Sequence, residues 1–447
     1  MHDFDDVEFR LLLEAPDGKR ATMVWRPHGS ELFFTDGRLP DLGRVHLAYA
    51  DRFLGFRPAK AVGPGHPVAK SRQLRRLKIM LGKACNYACG YCSQTEQRDS
   101  AGGNPADVET FLASMPGWFD GGEDGLGQGV RIEIWGGEPF VYWKTLRLLV
   151  PGLKHRYPNL GELFMFTNGS LLDAEKVAWL DEMGFTVAVS HDGPGQADRG
   201  PDPFDHPVAG PALRELIRRL HPQRRISFNF MVTARNYEVA EIRRWLLERT
   251  GVADLTVASG EFLTPYDPAS LLYSPATEAE HQAIRRTLAH DFSDRRGGLP
   301  IVTVHQKLAG FFGALASHRP AESLWQKCGM DKAVALAVDL AGNVATCQNV
   351  AAEGRHLLGN VAAPDDIRLE HAWHWSRRAE CPRCPVLPLC LGECMFLEGI
   401  YWDRACDNAF TWNLALFSAA LWFLTGMRLV RIEGDAIRRD EISAVDF

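Results

Sequence analysis

No stretch of this chain is long and apolar enough for a comfortable membrane span. The most apolar segment, Phe410 to Leu424, reads FTWNLALFSAALWFL and contains Asn413. A span needs about 20 such residues, so a buried helix is expected there instead. The opening residues, MHDFDDVEFR, hold no basic region leading into an apolar run. No secretion signal is expected, and a cytoplasmic location is. Charge of one sign is also lacking: 50 basic residues against 56 acidic ones leave a net charge of −6. That makes no electrostatic case for nucleic acid or for an anionic membrane surface.

What the chain does have is cysteine. Ten occur in 447 residues, a high count where no secretion signal argues for disulfides, so metal ligation or catalysis is the expected use. Their distribution favours metal. Cys85, Cys89 and Cys92 fall in ACNYACGYCSQ, and the other seven all lie between Cys328 and Cys406. The first group reads C-x3-C-x2-C and lacks a fourth ligand; no further Cys or His lies near enough in sequence to complete a local site. Three thiolates on one loop can hold three irons of a four-iron cluster and leave one iron open. Zinc is the competitor, although its sites usually pair C-x2-C with a second such pair.

The chain divides by pattern. Residues 1 to about 57 look β-rich, with VEFRLLL (7–13) and ATMVW (21–25) as strands and turns at Asp17-Gly18 and Asp36-Gly37. A Pro/Gly linker, AKAVGPGHPVAK (59–70), follows. From 74 to 265 short apolar runs alternate with helical patterns. Strands are expected at 77–81, 130–135, 162–166, 186–190, 226–232 and 254–259. Helices are expected from an Asn104-Pro105 start, at 143–155, at 172–183 and from an Asn236 cap to Thr250. Such repeated units imply a parallel sheet, with chemistry at the C-terminal ends of its strands. The cysteine loop, GGEP (136–139), TNGS (167–170) and SHDGPG (190–195) would then share one rim. A partly helical segment follows, with Thr277 and Glu280 as a capping box.

C-x3-C-x-aromatic-C, with Tyr91 as the aromatic residue, resembles the signature of the radical S-adenosylmethionine (radical SAM) enzymes. Gly136, Gly137, Glu138 and Pro139 resemble the family's GGEP, which meets the methionine amino group. Asn168 lies in the third rim segment. Ser190 and Asp192 resemble the segment that contacts the methionine carboxylate and ribose, and Arg199 resembles an arginine found just beyond it. The usual residue between Ser and Asp is apolar; here it is His191. The downstream pattern runs Cys328, Gly342, Cys347, then Cys381-x2-Cys384-x5-Cys390-x3-Cys394 and Cys406. It is similar to the SPASM domain, which holds two auxiliary four-iron clusters.

The resemblance implies an α/β fold: a partial (β/α)6 TIM-like barrel over 71–265, behind an N-terminal β-rich domain and linker over 1–70. A helical bridge over 266–320, a SPASM domain over 321–410 and a C-terminal helix and tail over 411–447 would complete it. It also implies three [4Fe-4S] clusters and S-adenosylmethionine as cofactors. Cys381, Cys384, Cys390 and Cys406 would hold the outer auxiliary cluster, and Cys328, Cys347 and Cys394 the inner one. Seven thiolates stand where two fully ligated clusters need eight, so the inner cluster is expected to be open or completed by a non-cysteine group. One electron, from a flavodoxin- or ferredoxin-type partner, would cleave S-adenosylmethionine to methionine and a 5′-deoxyadenosyl radical. The expected substrate is a ribosomally made precursor peptide, oxidatively modified and most simply crosslinked. The alternatives are a sulfatase-type protein maturase and oxidation of a small molecule such as an aminoglycoside. The sulfatase-maturing members carry an aspartate just after the second SPASM cysteine, where this chain has Gln348.

Overall fold

The computed structural model describes residues 7–45, 56–94, 102–120, 129–294 and 301–447; residues 1–6 of the acidic N-terminus lie outside these. An antiparallel meander comes first: β1 (Phe9–Glu14), β2 (Arg20–Arg26) and β3 (Glu31–Phe34), with Gly18 and Gly37 at positive φ in the turns. The Pro/Gly linker carries one short strand, β4 (Val68–Ala69).

The alternating region forms β5 (Arg76–Met80), α1 (Asp107–Ser114), β6 (Arg131–Trp135), α2 (Trp143–Arg156), β7 (Leu163–Thr167) and α3 (Ala174–Glu182). It continues with β8 (Phe185–Ser190), α4 (Ala209–Leu220), β9 (Ile226–Val232), α5 (Val239–Thr250) and β10 (Val257–Phe262). Each strand from β5 to β10 pairs in parallel with the next. Alternate side chains such as Leu77, Ile79, Ile132 and Ile134 are buried against the helices, while Lys78 and Glu133 point the other way and are also enclosed. The second face borders the cavity described below, which is why charged residues alternate with apolar ones in β5 and β6.

Two expected caps differ. Helix α1 begins at Asp107, after a turn in which the Asn104 side chain accepts from the Ala106 N–H at 3.0 Å. The Asn104 side chain therefore caps that turn and not the helix itself. Helix α5 begins at Val239, not at Asn236. The Asn236 amide is drawn instead to the rim, where it donates to the Asp192 carbonyl at 2.9 Å.

The bridging segment holds α6 (Pro268–Leu271), α7 (Glu278–Ser293), with the expected Thr277–Glu280 capping box, and α8 (Val302–Ser317). The large sheet then grows from its other edge. β11 (Ala335–Asp339) pairs in parallel with β5, and β12 (Asn343–Ala345) and β13 (Leu357–Asn360) add antiparallel, giving nine strands in the order β10-β9-β8-β7-β6-β5-β11-β12-β13. β14 (Arg368–Leu369) pairs with β4.

After α9 (Leu387–Cys390), the segment expected to be a buried helix is the inner part of α10 (Gly399–Thr425), whose residues from Asn408 to Leu421 are all buried. Among the described residues no helix is long and apolar enough to cross a membrane. β15 (Arg428–Glu433) and β16 (Ala444–Asp446) then return to the first sheet, whose order is β16-β15-β1-β2-β3. Trp25 of β2 is fully buried against Phe311 and Phe417 and donates to the Pro385 carbonyl at 2.7 Å. This sheet therefore packs against the cysteine-rich region.

Candidate functional site

The four rim segments do follow β5, β6, β7 and β8, and they are tied to one another. The Gly137 N–H donates to the Gly82 carbonyl at 3.1 Å, and the Glu138 N–H to the Ala84 carbonyl at 3.0 Å. A Cβ on Gly137 would stand 2.3 Å from the Ala84 carbonyl oxygen. The glycine therefore serves close packing of one loop against the cysteine loop. Asn86 of the cysteine loop donates to Ser170 Oγ at 2.7 Å and accepts from Asn168 Nδ2 at 3.0 Å.

Glu138 is 1% exposed. Its carboxylate accepts from the Phe140 N–H (3.1 Å), the Thr167 hydroxyl (2.8 Å) and the Asn168 N–H (2.8 Å). Burial pushes its pKa up to about 7, against the pull of those donors. Asp192 accepts from the Tyr91 hydroxyl, from Arg199 Nη2 at 2.9 Å and from the Met231 N–H at 3.0 Å. Asp192 and Pro139 stand behind the cavity wall, and Asp192 fixes the two side chains that form it, Tyr91 and Arg199. His191 also faces away: fully buried, it stacks on Trp245 and contacts Asp202 at 3.2 Å.

The rim opens into a cavity of about 650 Å³. Cys85, Cys89 and Cys92 line it, together with Gly136, Gly137, Glu138, Asn168 and Ser190. Cys328, Cys347 and Cys394 line the same cavity. Two triads of thiols, far apart in sequence, thus face one space. The remaining four cysteines, Cys381, Cys384, Cys390 and Cys406, surround a separate small cavity of about 20 Å³, closed by Trp402, Phe410 and Arg438.

Burial pushes Cys89 and Cys328 up to about 11, and Cys347 and Cys390 up to about 12. Such thiols keep their protons until a strongly positive group arrives to displace them. Among the described residues no three metal-binding side chains converge on a single point, as one bare ion would require. The thiols instead stand around volumes, an arrangement suited to a polynuclear cluster. Two polar atoms in the large cavity also fit S-adenosylmethionine. Arg199 Nε and Asn229 Oδ1 are buried without a hydrogen-bond partner among the described residues. The first could meet a carboxylate, the second an ammonium or a hydroxyl.

Several residues here carried no sequence signal. Asn229 sits mid-strand in ISFNFMV, and only its place in the inward alternation marks it. Lys327 lies between Glu393 (2.7 Å) and Glu261 (3.3 Å), and Glu261 also meets Lys307 at 2.9 Å. Burial opposes the charge of Lys327, but the two carboxylates hold its pKa well above the usual lysine value. Glu393 lines both cavities. Arg438 reaches Asp407 at 2.5 Å and covers the four-cysteine cavity, drawn there from the tail by a positive-φ turn.

The fold belongs to the mixed α/β class in which a large parallel sheet carries polar loops on one rim. Solved structures share it. Over 75% of this chain and 96% of that chain, it superposes on hexahistidine-tagged anSMEcpe with bound AdoMet at a TM-score of 0.54 and 18% identity. For native anSMEcpe with bound AdoMet the shares are 77% and 99%, with a TM-score of 0.55 and 18% identity. Streptococcus suis SuiB bound to S-adenosylmethionine is a looser match, at 15% identity over 72% and 73% of the chains and a TM-score of 0.45. Neither a protein-family model nor a curated protein matches the chain.

Proposed function

We propose that this chain is a radical SAM enzyme with a C-terminal SPASM domain that oxidatively modifies, most simply by crosslinking, a ribosomally made peptide. The observation that carries this reading is the single cavity walled by two thiol triads, Cys85/Cys89/Cys92 and Cys328/Cys347/Cys394. On this reading, residues 71–265 are the partial (β/α)6 barrel and 321–410 the SPASM domain. Cys85, Cys89 and Cys92 hold a [4Fe-4S] cluster that lacks a fourth protein ligand. When bound there and reduced by a flavodoxin- or ferredoxin-type protein, such a cluster would supply one-electron reductive cleavage of S-adenosylmethionine to a hydrogen-abstracting radical.

The chain's own residues bind and orient. Carbonyls around Gly136 and Gly137 and the Asn229 amide oxygen offer acceptors to an ammonium group. Ser190 and Arg199 offer donors to a carboxylate, and Tyr91 presents a ring edge-on to Tyr273 at 5.4 Å. Asp192 holds Tyr91 and Arg199 in place. Trp135 and Phe166, with ring centroids 4.7 Å apart, give the cavity an aromatic wall. Cys381, Cys384, Cys390 and Cys406 enclose a fully ligated outer cluster.

A peptide substrate is favoured by fold: structures of native anSMEcpe hold AdoMet together with Cp18Cys or Kp18Cys peptide. A sulfatase-type maturase is disfavoured at Gln348. Its amide cannot accept a proton as a carboxylate can, and its Oε1 is already engaged by Lys78 Nζ at 2.6 Å. The test is anaerobic incubation of fully reconstituted protein with S-adenosylmethionine, reductant and the precursor peptide. The expected result is 5′-deoxyadenosine plus a peptide lighter by the hydrogens removed. No 5′-deoxyadenosine from protein with all its iron loaded would overturn the proposal.

A further inference from the structure

The two thiol triads are joined by more than shared space. The Gln94 N–H donates to Cys92 Sγ at 3.4 Å, and Gln94 Nε2 donates to the Gln348 carbonyl at 2.7 Å. Gln348 Nε2 donates to Asn349 Oδ1 at 3.1 Å. Asn349 Nδ2 donates to the Tyr266 hydroxyl at 3.4 Å, and that hydroxyl donates to Cys394 Sγ at 3.3 Å. A side branch runs from the Asn349 N–H to Cys347 Sγ at 3.4 Å. From Gln94 Nε2 onward the side-chain donors run in one direction, ending at Cys394.

The strip is held rigidly. Tyr266 leads into α6, where Asp267 and Ser270 form a reciprocal cap and Ser270 Oγ accepts the Tyr266 N–H at 3.1 Å. Lys78, from β5 of the same sheet, anchors Gln348. Four long or polar side chains aligned on one sulfur cost side-chain entropy, and a sulfur ligand gains from donors that disperse its negative charge.

We propose that Tyr266, oriented by Asn349 and Gln348, is a positioning residue whose hydrogen bond to the Cys394 sulfur raises the reduction potential of the cluster held by Cys328, Cys347 and Cys394. This rests on the function proposed above. Reduction adds one electron to the cluster and its thiolates. A donor on one of those sulfurs stabilises the reduced, more negative state more than the oxidised one, so the potential rises. No bond to the metal is required of Tyr266. A higher potential would make that cluster a better acceptor for an electron from a substrate radical formed beside the first triad.

The experiment is a redox titration of the fully reconstituted protein, followed by electron paramagnetic resonance, in the wild type, Tyr266→Phe and Asn349→Leu. Iron and sulfide are measured on each. Tyr266→Phe should keep its iron and lower the midpoint of the inner cluster's signal alone. Asn349→Leu should lower it in the same sense but less, and an exchangeable-deuteron coupling present in wild type should vanish in Tyr266→Phe. An unchanged midpoint at full iron content would overturn the inference while leaving the enzyme assignment standing. Loss of the inner iron from Tyr266→Phe but not from Asn349→Leu would overturn it in favour of direct ligation. A wild-type protein showing no inner-cluster signal would sink the underlying functional reading instead.

Discussion

At Gly137 a single methyl group decides the shape of the site. A side chain there would meet the Ala84 and Lys83 carbonyls at 2.3 and 2.5 Å, both of them backbone that cannot swing aside. Gly137→Ala is expected to cost roughly 1–3 kcal/mol, the usual range for overpacking, and to loosen the cysteine loop. Thermal unfolding and the rate of iron loss to a chelator measure both. Cys89→Ala is expected to remove about a third of the loaded iron, one cluster's share of three, and to abolish S-adenosylmethionine cleavage; iron analysis with a 5′-deoxyadenosine assay checks it. His374 gives a pH signature remote from the chemistry. Burial pushes its pKa down from 6.5 to about 4. The unfolded chain then takes up a proton that the folded one refuses, so stability present above pH 6.5 is lost as pH falls toward 4. The effect reaches roughly 3 kcal/mol, at about 1.4 kcal/mol per unit. Urea unfolding at a series of pH values should show that slope in the wild type and a flatter one in His374→Gln. GGEP was legible as a motif, but the reason for its second glycine was not, because it lies in a contact between two loops fifty residues apart in sequence.

Among the elements, α10 joins the most functions. It carries Cys406 to the four-cysteine cavity, buries Phe417 against Trp25, and delivers the chain to β15. Its apolar stretch was readable as a buried helix, whereas its start at Gly399 was not: GIYWDRACDNA mixes polar and charged residues whose partners, such as Arg438 for Asp407, lie elsewhere in the chain. Arg438 sits over the Phe410 ring at 4.4 Å and beside Cys384 and Cys406. Arg438→Gln is expected to lower stability by about 1–3 kcal/mol, the scale of a charged hydrogen bond. It should also speed iron loss from the four-cysteine site while sparing the first cluster, which stopped-flow chelation with spectra of each cluster would separate. The six parallel strands were recovered within a few residues because runs such as ISFNFMV are bounded by clear turn signals. The edge strands β11 to β13 went unread, since three to five residues flanking cysteines carry too little pattern to mark a strand.

At the scale of the whole molecule, β11 matters most. By pairing with β5 it carries the cysteine-rich region onto the edge of the parallel sheet, and so puts Cys328, Cys347 and Cys394 on the wall of the space that Cys85, Cys89 and Cys92 face. The resemblance to the SPASM domain implied a set of three and a set of four among the downstream seven, and three of them line the large cavity while four surround the small one; which set shares the space of the first triad depends on sheet order, which spacing does not encode. Cys384→Ala, in the set away from that space, is expected to spare uncoupled S-adenosylmethionine cleavage while reducing peptide turnover at least tenfold, a barrier increase of about 1.4 kcal/mol or more. Comparing 5′-deoxyadenosine and product yields checks it; equal turnover would make the outer cluster dispensable. The meander has a consequence in time. β1 lies between β2 and β15, and β15 is synthesised after all ten cysteines. β1 is therefore made well before the strand it pairs with and must wait for it, and Trp25, which donates to the Pro385 carbonyl, waits with it. Until that seam closes, Trp25 lacks the Pro385 carbonyl and the Phe311 and Phe417 rings that bury it, so the first sheet and the cysteine-rich region complete their folding together.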